Sequence, residues 1–244
     1  MTETSSLQGK RVLVTGGARR VGRMLSLAAA SLGAEVLIHH GHSPEAAAET
    51  ARLVEAAGGR ARVLQADLGD PAQVDALMAQ ALAEGPLFAL VNSAALFEPL
   101  DWAHTDRAAW ARHMHINLEA PFFLSQAFAR ALPPYAHGRI VNILDWRALR
   151  PGADHLPYTV SKAALAALTR SLALALAPRI TVNGIALGAV LPPADGSGKG
   201  VLRHVPAGRQ AKADEVAETL RFLLTGPAYI TGEIIHLDGG RHLV

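Results

Sequence analysis

The sequence predicts a single α/β domain over residues 8–244, a doubly wound sheet of about seven mainly parallel strands flanked by helices. Three observations carry this. Strand-like and helix-like stretches alternate from end to end, the pattern of βαβ units. A glycine-rich turn, Thr15-Gly16-Gly17-Ala18-Arg19-Arg20-Val21-Gly22, joins the first strand to the first helix. The chain has 244 residues, of which 50% are hydrophobic and 18% charged, enough for one large core without a second domain.

The elements follow in order. Arg11 to Thr15 is the first strand, and Val21 to Leu32 a helix that Gly33 ends. Glu35 to His39 is the second strand. Ser43 caps a helix from Pro44 to Ala57, with proline at its first position and Gly58 as its stop. Ala61 to Ala66 is the third strand, and Asp70 caps a helix that Pro71 opens and that runs to about Glu84. Leu87 to Asn92 is the fourth strand. Asp106 to Leu132 is helical, with a bend expected near Pro121. Arg139 to Leu144 is the fifth strand, Pro157 to Ala177 a helix that Pro178 ends, and Arg179 to Asn183 the sixth strand. Ala213 to Leu224 is the last helix and Glu233 to Leu237 the last strand. Between them, 187–212 is long, irregular and rich in Gly and Pro. A stretch of that kind is either a substrate lid or a disordered insertion.

Composition narrows the class. With no cysteine, a disulfide scaffold and a thiolate metal site are excluded, a reducing cytoplasm is expected, and no metal ligand set is assigned. Met1 to Gln8 is polar and lacks the apolar run of a signal peptide. The most apolar stretch, Ala163 to Ala177, is broken by Thr169, Arg170 and Ser171, so it reads as a buried helix rather than a membrane span. The formal charge is +2 and basic residues are scattered, so a nucleic-acid partner is not expected.

Ligands of parallel sheets bind beyond the strand C-termini at the topological switch point, here near Thr15, Asn92 and Asp145. The turn from Thr15 to Gly22 permits close backbone approach to a phosphate at a helix N-terminus; an ordinary strand-to-helix turn is the alternative. Tyr158 and Lys162 lie four apart and share one helix face. With three tyrosines in the chain, such a pair arises by chance in roughly one case in twenty. An ammonium beside a phenol lowers its pKa and makes it a proton donor that recovers near neutral pH. A tyrosine packed on a lysine stem is the plainer alternative.

The turn, Asn92, Asn117 and the Tyr158/Lys162 pair together resemble the short-chain dehydrogenase/reductase family, over nearly the whole chain. The resemblance implies a Rossmann-type fold and a catalytic set in which Tyr158 donates the proton, Lys162 holds the nicotinamide ribose, and Asn117 joins a water relay. It also implies a cofactor cradle of Thr15, Gly16, Arg19, Arg20, Val21 and Gly22, continued by Asp67, Leu68, Asn92, Ser93, Ala94, Tyr158, Lys162, Gly188 and Val190. Asp67 reads equally as a helix N-cap. Asn92-Ser93-Ala94-Ala95 departs from the family's usual Asn-Asn-Ala-Gly.

Three positions resemble the pteridine reductase branch. Arg20 stands where the family's middle glycine is usual, and in that branch an arginine there contacts the 2′-phosphate of NADPH. The second strand ends His39-His40-Gly41-His42-Ser43, with no carboxylate to repel a phosphate and with His40, His42 and Ser43 as candidate contacts. Asp145 replaces the usual catalytic serine thirteen residues before Tyr158, and Phe97 matches a ring that stacks on the pterin. An ionised aspartate cannot donate to a ketone oxygen, whereas it accepts from pterin N–H groups. A loop-capping Asp145 and a core Phe97 are the alternatives.

The resemblance therefore implies an NADPH-dependent reductase of a dihydropterin or dihydrofolate, with Phe97, Asp145 and Tyr158 on the substrate. A reductase of short-chain ketones or 3-oxoacyl thioesters, and a non-catalytic NADPH sensor, are the other readings. The alanine-rich Ala163 to Ala177 helix implies a homo-oligomer, a dimer or tetramer in this family.

Overall fold

In the computed structural model, which describes residues 6–191, 202 and 204–244, the inner strands of the sheet are buried on two sides by apolar residues that alternate along them, whereas the edge strands at 60–65 and 234–237 are partly exposed. Val12 and Val14 of β1 (Arg11–Val14) face one layer, and Leu13 faces the other. The first layer holds α1 (Arg20–Ser31) and α7 (Ala213–Thr225); the second holds α3 (Pro71–Leu82), α5 (Ala120–Ala131) and α6 (Leu156–Leu176). Strands covered on both faces need near-continuous apolar runs, which is why they were readable as strands.

The other strands are β2 (Glu35–His40), β3 (Arg60–Gln65), β4 (Ala89–Asn92), β5 (Gly138–Asp145), β6 (Ile180–Leu187) and β7 (Ile234–Leu237), with α2 (Pro44–Ala56) between β2 and β3. Their order is β3-β2-β1-β4-β5-β6-β7 and every pairing is parallel. The chain reverses its direction of travel across the sheet between β1 and β4, so the crevice opens there. The doubly wound sheet is as expected. β6 runs four residues beyond its expected end at Asn183, and those four, Gly184 to Leu187, are the ones that pair with β7.

The long fourth helix is in three pieces: α4 (Arg107–Met114), a π turn (His115–Glu119) and α5. Pro121 has no N–H to give the carbonyl of residue 117, so the wide turn lies just before the proline. Asp70 caps α3 by accepting from Ala72 N at 2.9 Å. Asp67 instead accepts from Gly69 N at 2.8 Å, so it closes a turn and is not the helix cap. Ser43 is the cap residue of α2, but its side chain makes no cap hydrogen bond. Of the expected 187–212 loop, residues 192–201 and 203 lie outside the described residues.

Candidate active site

The turn after β1 is shaped by steric need. Gly16 has φ of +62°, and a Cβ there would sit 2.8 Å from Ala94 Cα. A Cβ on Gly22 would come within 1.9 Å of the Gly16 carbonyl oxygen. Arg20 also adopts a left-handed φ of +52°. That conformation costs a non-glycine residue roughly 1–2 kcal/mol, so glycine would be the cheaper choice. Arg19 and Arg20 are exposed, whereas Gly22 is buried.

His39 holds this turn, a role the sequence did not reveal. Its Nδ1 accepts from Gly16 N at 3.1 Å, and its Nε2 donates to Ala66 O at 3.0 Å, which fixes one neutral tautomer. Burial drives its pKa down to about 4. The ring is neutral in the fold yet titrates near 6.5 when unfolded, so the unfolded chain binds the extra proton below that pH. Stability is therefore expected to fall between pH 6.5 and pH 4, by about 3 kcal/mol from this group. Urea unfolding at several pH values checks this; His39→Gln should flatten that part of the profile.

The two βα turns at the crevice are tied by Thr15. Its Oγ1 accepts from Ser93 N at 3.0 Å and from Ala94 N at 3.1 Å. Asn92 is buried and turns inward: Nδ2 donates to Asn142 Oδ1 at 2.8 Å, while Oδ1 has no hydrogen-bond partner. Asn142 in turn donates to Thr169 Oγ1 at 2.9 Å. The Asn92 side chain thus braces β4 against β5. Leu68 and Val190 likewise point their side chains into the core, leaving only backbone for a ligand. His40 is buried and accepts from Ser43 N at 3.4 Å, while His42 is exposed. Gly188 passes so close to Asp238 that a Cβ would lie 2.6 Å from its Cα. The glycine turn at the N-terminus of α1 has the shape that admits a pyrophosphate, and Arg20 and His42 are exposed with Ser43 half-buried.

On α6, Tyr158, Lys162, Leu165, Ala166, Thr169, Leu172 and Ala173 form the buried stripe. The pair belongs to the core-facing side and is not surface packing. Tyr158 Oη donates to Asp145 Oδ2 at 3.3 Å. Lys162 Nζ donates to Ile143 O at 2.7 Å and lies 5.9 Å from the Tyr158 ring centroid. Burial lowers the Lys162 pKa to about 8, which the Asp145 carboxylate opposes. Burial and the Asp145 anion push the Tyr158 phenol well above its usual range. Of the two expected influences, the lysine lowering the phenol pKa and the aspartate keeping it protonated, the aspartate prevails: the carboxylate is in contact, whereas the ammonium is spent on a carbonyl. Burial raises Asp145 in turn, with Arg147, Lys162 and Tyr158 pulling the other way.

Asn117 lies in the π turn. Its Oδ1 accepts from Leu96 N at 2.7 Å, and its Nδ2 donates to Leu96 O at 3.0 Å and to Ser161 Oγ at 3.0 Å. No direct hydrogen bond joins it to Lys162. Asn117 instead fixes the segment that presents Phe97. Phe97 is 52% exposed, so it is not a core residue. Its ring meets Tyr158 edge-on, with centroids 4.6 Å apart at 82°, and lies flat on His155 at 4.1 Å and 12°. Sequence reasoning missed Arg147, Asp154 and His155 around this ring. Their signal was faint: charged residues at the two ends of the loop between Asp145 and Pro157.

A parallel sheet that opens at its switch point onto a Tyr-x-x-x-Lys pair defines a class of nucleotide-dependent oxidoreductases. Residues 16–242 match the family model described as enoyl-(acyl carrier protein) reductase, and the chain belongs to the short-chain dehydrogenase/reductase family. A 3-oxoacyl-[acyl-carrier-protein] reductase of Escherichia coli strain K12 is 32% identical, covering 98% of this chain and 100% of that one. The crystal structure of FolM alternative dihydrofolate reductase 1 from Brucella canis, complexed with NADP, is 39% identical with a TM-score of 0.92. It covers 99% of this chain and 97% of that one. A short-chain dehydrogenase from Burkholderia cenocepacia in complex with NADP is 36% identical with a TM-score of 0.90, covering 96% of this chain and 98% of that one.

Proposed function

We propose that the protein is an NADPH-dependent reductase of a dihydropterin or dihydrofolate-type substrate, with Tyr158 as proton donor. The observation that carries this reading is the Tyr158 hydroxyl 3.3 Å from a half-buried carboxylate, with an exposed aromatic ring alongside. NADPH, when bound, supplies the hydride that reduces a C=N carbon. Arg20, His42 and Ser43 hold its 2′-phosphate, and the glycine turn its pyrophosphate. Tyr158 gives its proton to the adjacent ring nitrogen. Its raised pKa keeps the phenol protonated at neutral pH until a base as strong as a reduced imine draws the proton away. Asp145 accepts from the amino and ring N–H groups of the pterin. Phe97 stacks on the flat ring.

The Brucella canis neighbour supports the pterin side of this reading. The Escherichia coli relative supports the alternative, a 3-oxoacyl thioester reductase. Asp145 weighs against the alternative, because it offers a ketone oxygen an anion where a hydroxyl donor would help. An assay of dihydrobiopterin, dihydromonapterin and dihydrofolate beside acetoacetyl thioesters, all with NADPH, separates the two. Turnover of the thioesters alone rejects the pterin reading.

Arg20 gives a second test. Arg20→Gly is expected to raise the NADPH dissociation constant by about 10- to 100-fold, the loss of a charge-assisted bond, with little change for NADH. Thermal stability should not fall, since glycine relieves the left-handed φ. Fluorescence titration with each nucleotide and a melting curve check both halves. Self-association goes with this reading: Phe123 on α5 and Leu174 on α6 are exposed apolar side chains, the latter 85% exposed.

A further inference from the structure

Six residues around the site form a closed ring of contacts. Tyr158 Oη donates to Asp145 at 3.3 Å. Asp145 faces the Arg147 guanidinium at 3.7 Å and also accepts from the Arg147 backbone N–H at 2.9 Å. The same guanidinium donates to Asp154 at 2.9 Å. Asp154 contacts His155 Nδ1 at 2.9 Å. His155 lies flat on Phe97, and Phe97 meets Tyr158 edge-on, which closes the ring. Three members, Tyr158, Asp145 and Phe97, are those assigned to the substrate. The other three hold them.

We infer that Arg147 is the positioning residue of this ring, setting the Asp145 carboxylate and the Phe97 seat in register through one guanidinium. This rests on the reading of Asp145 and Phe97 as substrate contacts. Arg147 fits the task. Its side chain is only 15% exposed and its Nε is buried without a hydrogen-bond partner. The guanidinium lies 4.7 Å from the Trp146 ring and 6.0 Å from the Phe97 ring, so it is clamped by aromatic surface. A rigid planar fork reaches two carboxylates at once; a lysine ammonium reaches one. An arginine held merely for surface charge would not be buried between two rings.

His155 is the far end of the device. It adopts a left-handed φ of +51° just before α6, a conformation uncommon outside glycine and asparagine. That backbone, with the Asp154 contact, keeps its ring against one face of Phe97. The half-exposed Phe97 ring is thereby backed, so that a flat substrate ring adds to an existing stack instead of ordering a loose side chain. The groups facing Asp145 are Arg147 from its own loop, Tyr158 and Lys162 from α6, and Arg241 from the C-terminal turn beyond Trp146. Arg147 is the cation that touches both Asp145 and Asp154, the partner of the His155 ring behind Phe97.

The test uses the full chain with NADPH bound. With 13C-labelled aspartate, the Asp145 carboxyl is assigned by comparison with Asp145→Asn and titrated in wild type and Arg147→Met. Removal of the cation should raise its midpoint by about one pH unit or more. In turnover of dihydrobiopterin, Arg147→Met should move the acid limb of kcat/KM upward by the same amount and raise KM about tenfold. His155→Asn keeps a residue that tolerates the left-handed backbone but removes the ring. It should raise KM while leaving the acid limb where wild type has it. Arg147→Lys, which retains the charge and core stem, should leave the midpoint near wild type and raise KM; it also covers the case in which Arg147→Met does not fold. An unmoved Asp145 midpoint in Arg147→Met overturns the inference, as does an unchanged KM in both Arg147→Lys and His155→Asn. If wild type reduces only thioesters, the proposed substrate class fails, while the carboxyl titration still decides the Asp145–Arg147 link.

Discussion

Tyr158→Phe is expected to lower kcat by about 10²- to 10⁴-fold, the usual contribution of a positioned general acid. NADPH affinity should change far less than kcat, because the phenol is one among many expected cofactor contacts, most of them on the turns after β1, β2, β3, β4 and β6 and at Lys162. The ring is retained, so the edge-on contact with Phe97 at 4.6 Å and the buried stripe of α6 survive. Lost are the one transferable proton and the hydrogen bond to Asp145 at 3.3 Å. Asp145 is already raised by burial, and that bond is among the interactions that pull it down. Its pKa should therefore climb further in the variant, and whatever turnover remains should shift its acid limb upward. Steady-state kinetics across pH, with a parallel NADPH titration, reads both effects. Unchanged turnover would show that the phenol is not the acid, whereas NADPH binding by the wild type with no turnover of any substrate would favour the sensor reading.

The architecture was legible because its signals are local. Val12, Leu13 and Val14 announce a strand covered on both faces, and Asp70-Pro71 announces a helix start. The Tyr158/Lys162 pair was legible for the same reason: two residues four apart share a helix face whatever the rest of the fold does. What stayed hidden depends on contacts across the chain. Nothing around His39 says that its imidazole accepts from Gly16, 23 residues earlier. Nothing around Asn117 says that a π turn will aim its amide at Leu96, 21 residues away. The Tyr158 shift depends on such contacts too, with burial its largest cause and the Asp145 anion the next. Spacing along the helix gives the lysine, whereas burial of the phenol and its contact with the carboxylate at the end of β5 are set by the tertiary fold.

That carboxylate makes Asp145→Ser the most informative exchange at the site. The serine hydroxyl can donate to a carbonyl oxygen, and its arrival removes the anion that holds the phenol protonated. Three changes are expected together. The kcat/KM for dihydrobiopterin should fall by roughly 10²-fold, the scale of a lost charge-assisted contact made in the transition state. The kcat/KM for an acetoacetyl thioester should rise relative to it, as the oxyanion gains a donor. The basic limb of the pH profile should move down, because the Tyr158 pKa is raised by burial and by Asp145, and only the first cause remains. Stability offers a control of opposite sign. Asp145 is a half-buried carboxyl whose pKa the fold raises, so the native ion is unfavourable above its unfolded pKa. Replacing it should leave the melting temperature at neutral pH no lower than wild type, unless the stranded Arg147 charge costs more than the carboxylate did. Arg147→Met combined with Asp145→Ser removes that charge too, so recovery of stability in the double variant measures the coupling of the pair. A substrate ratio that stays put while stability and pH profile shift as described would assign Asp145 to the electrostatics of Tyr158 and remove it from the choice of substrate.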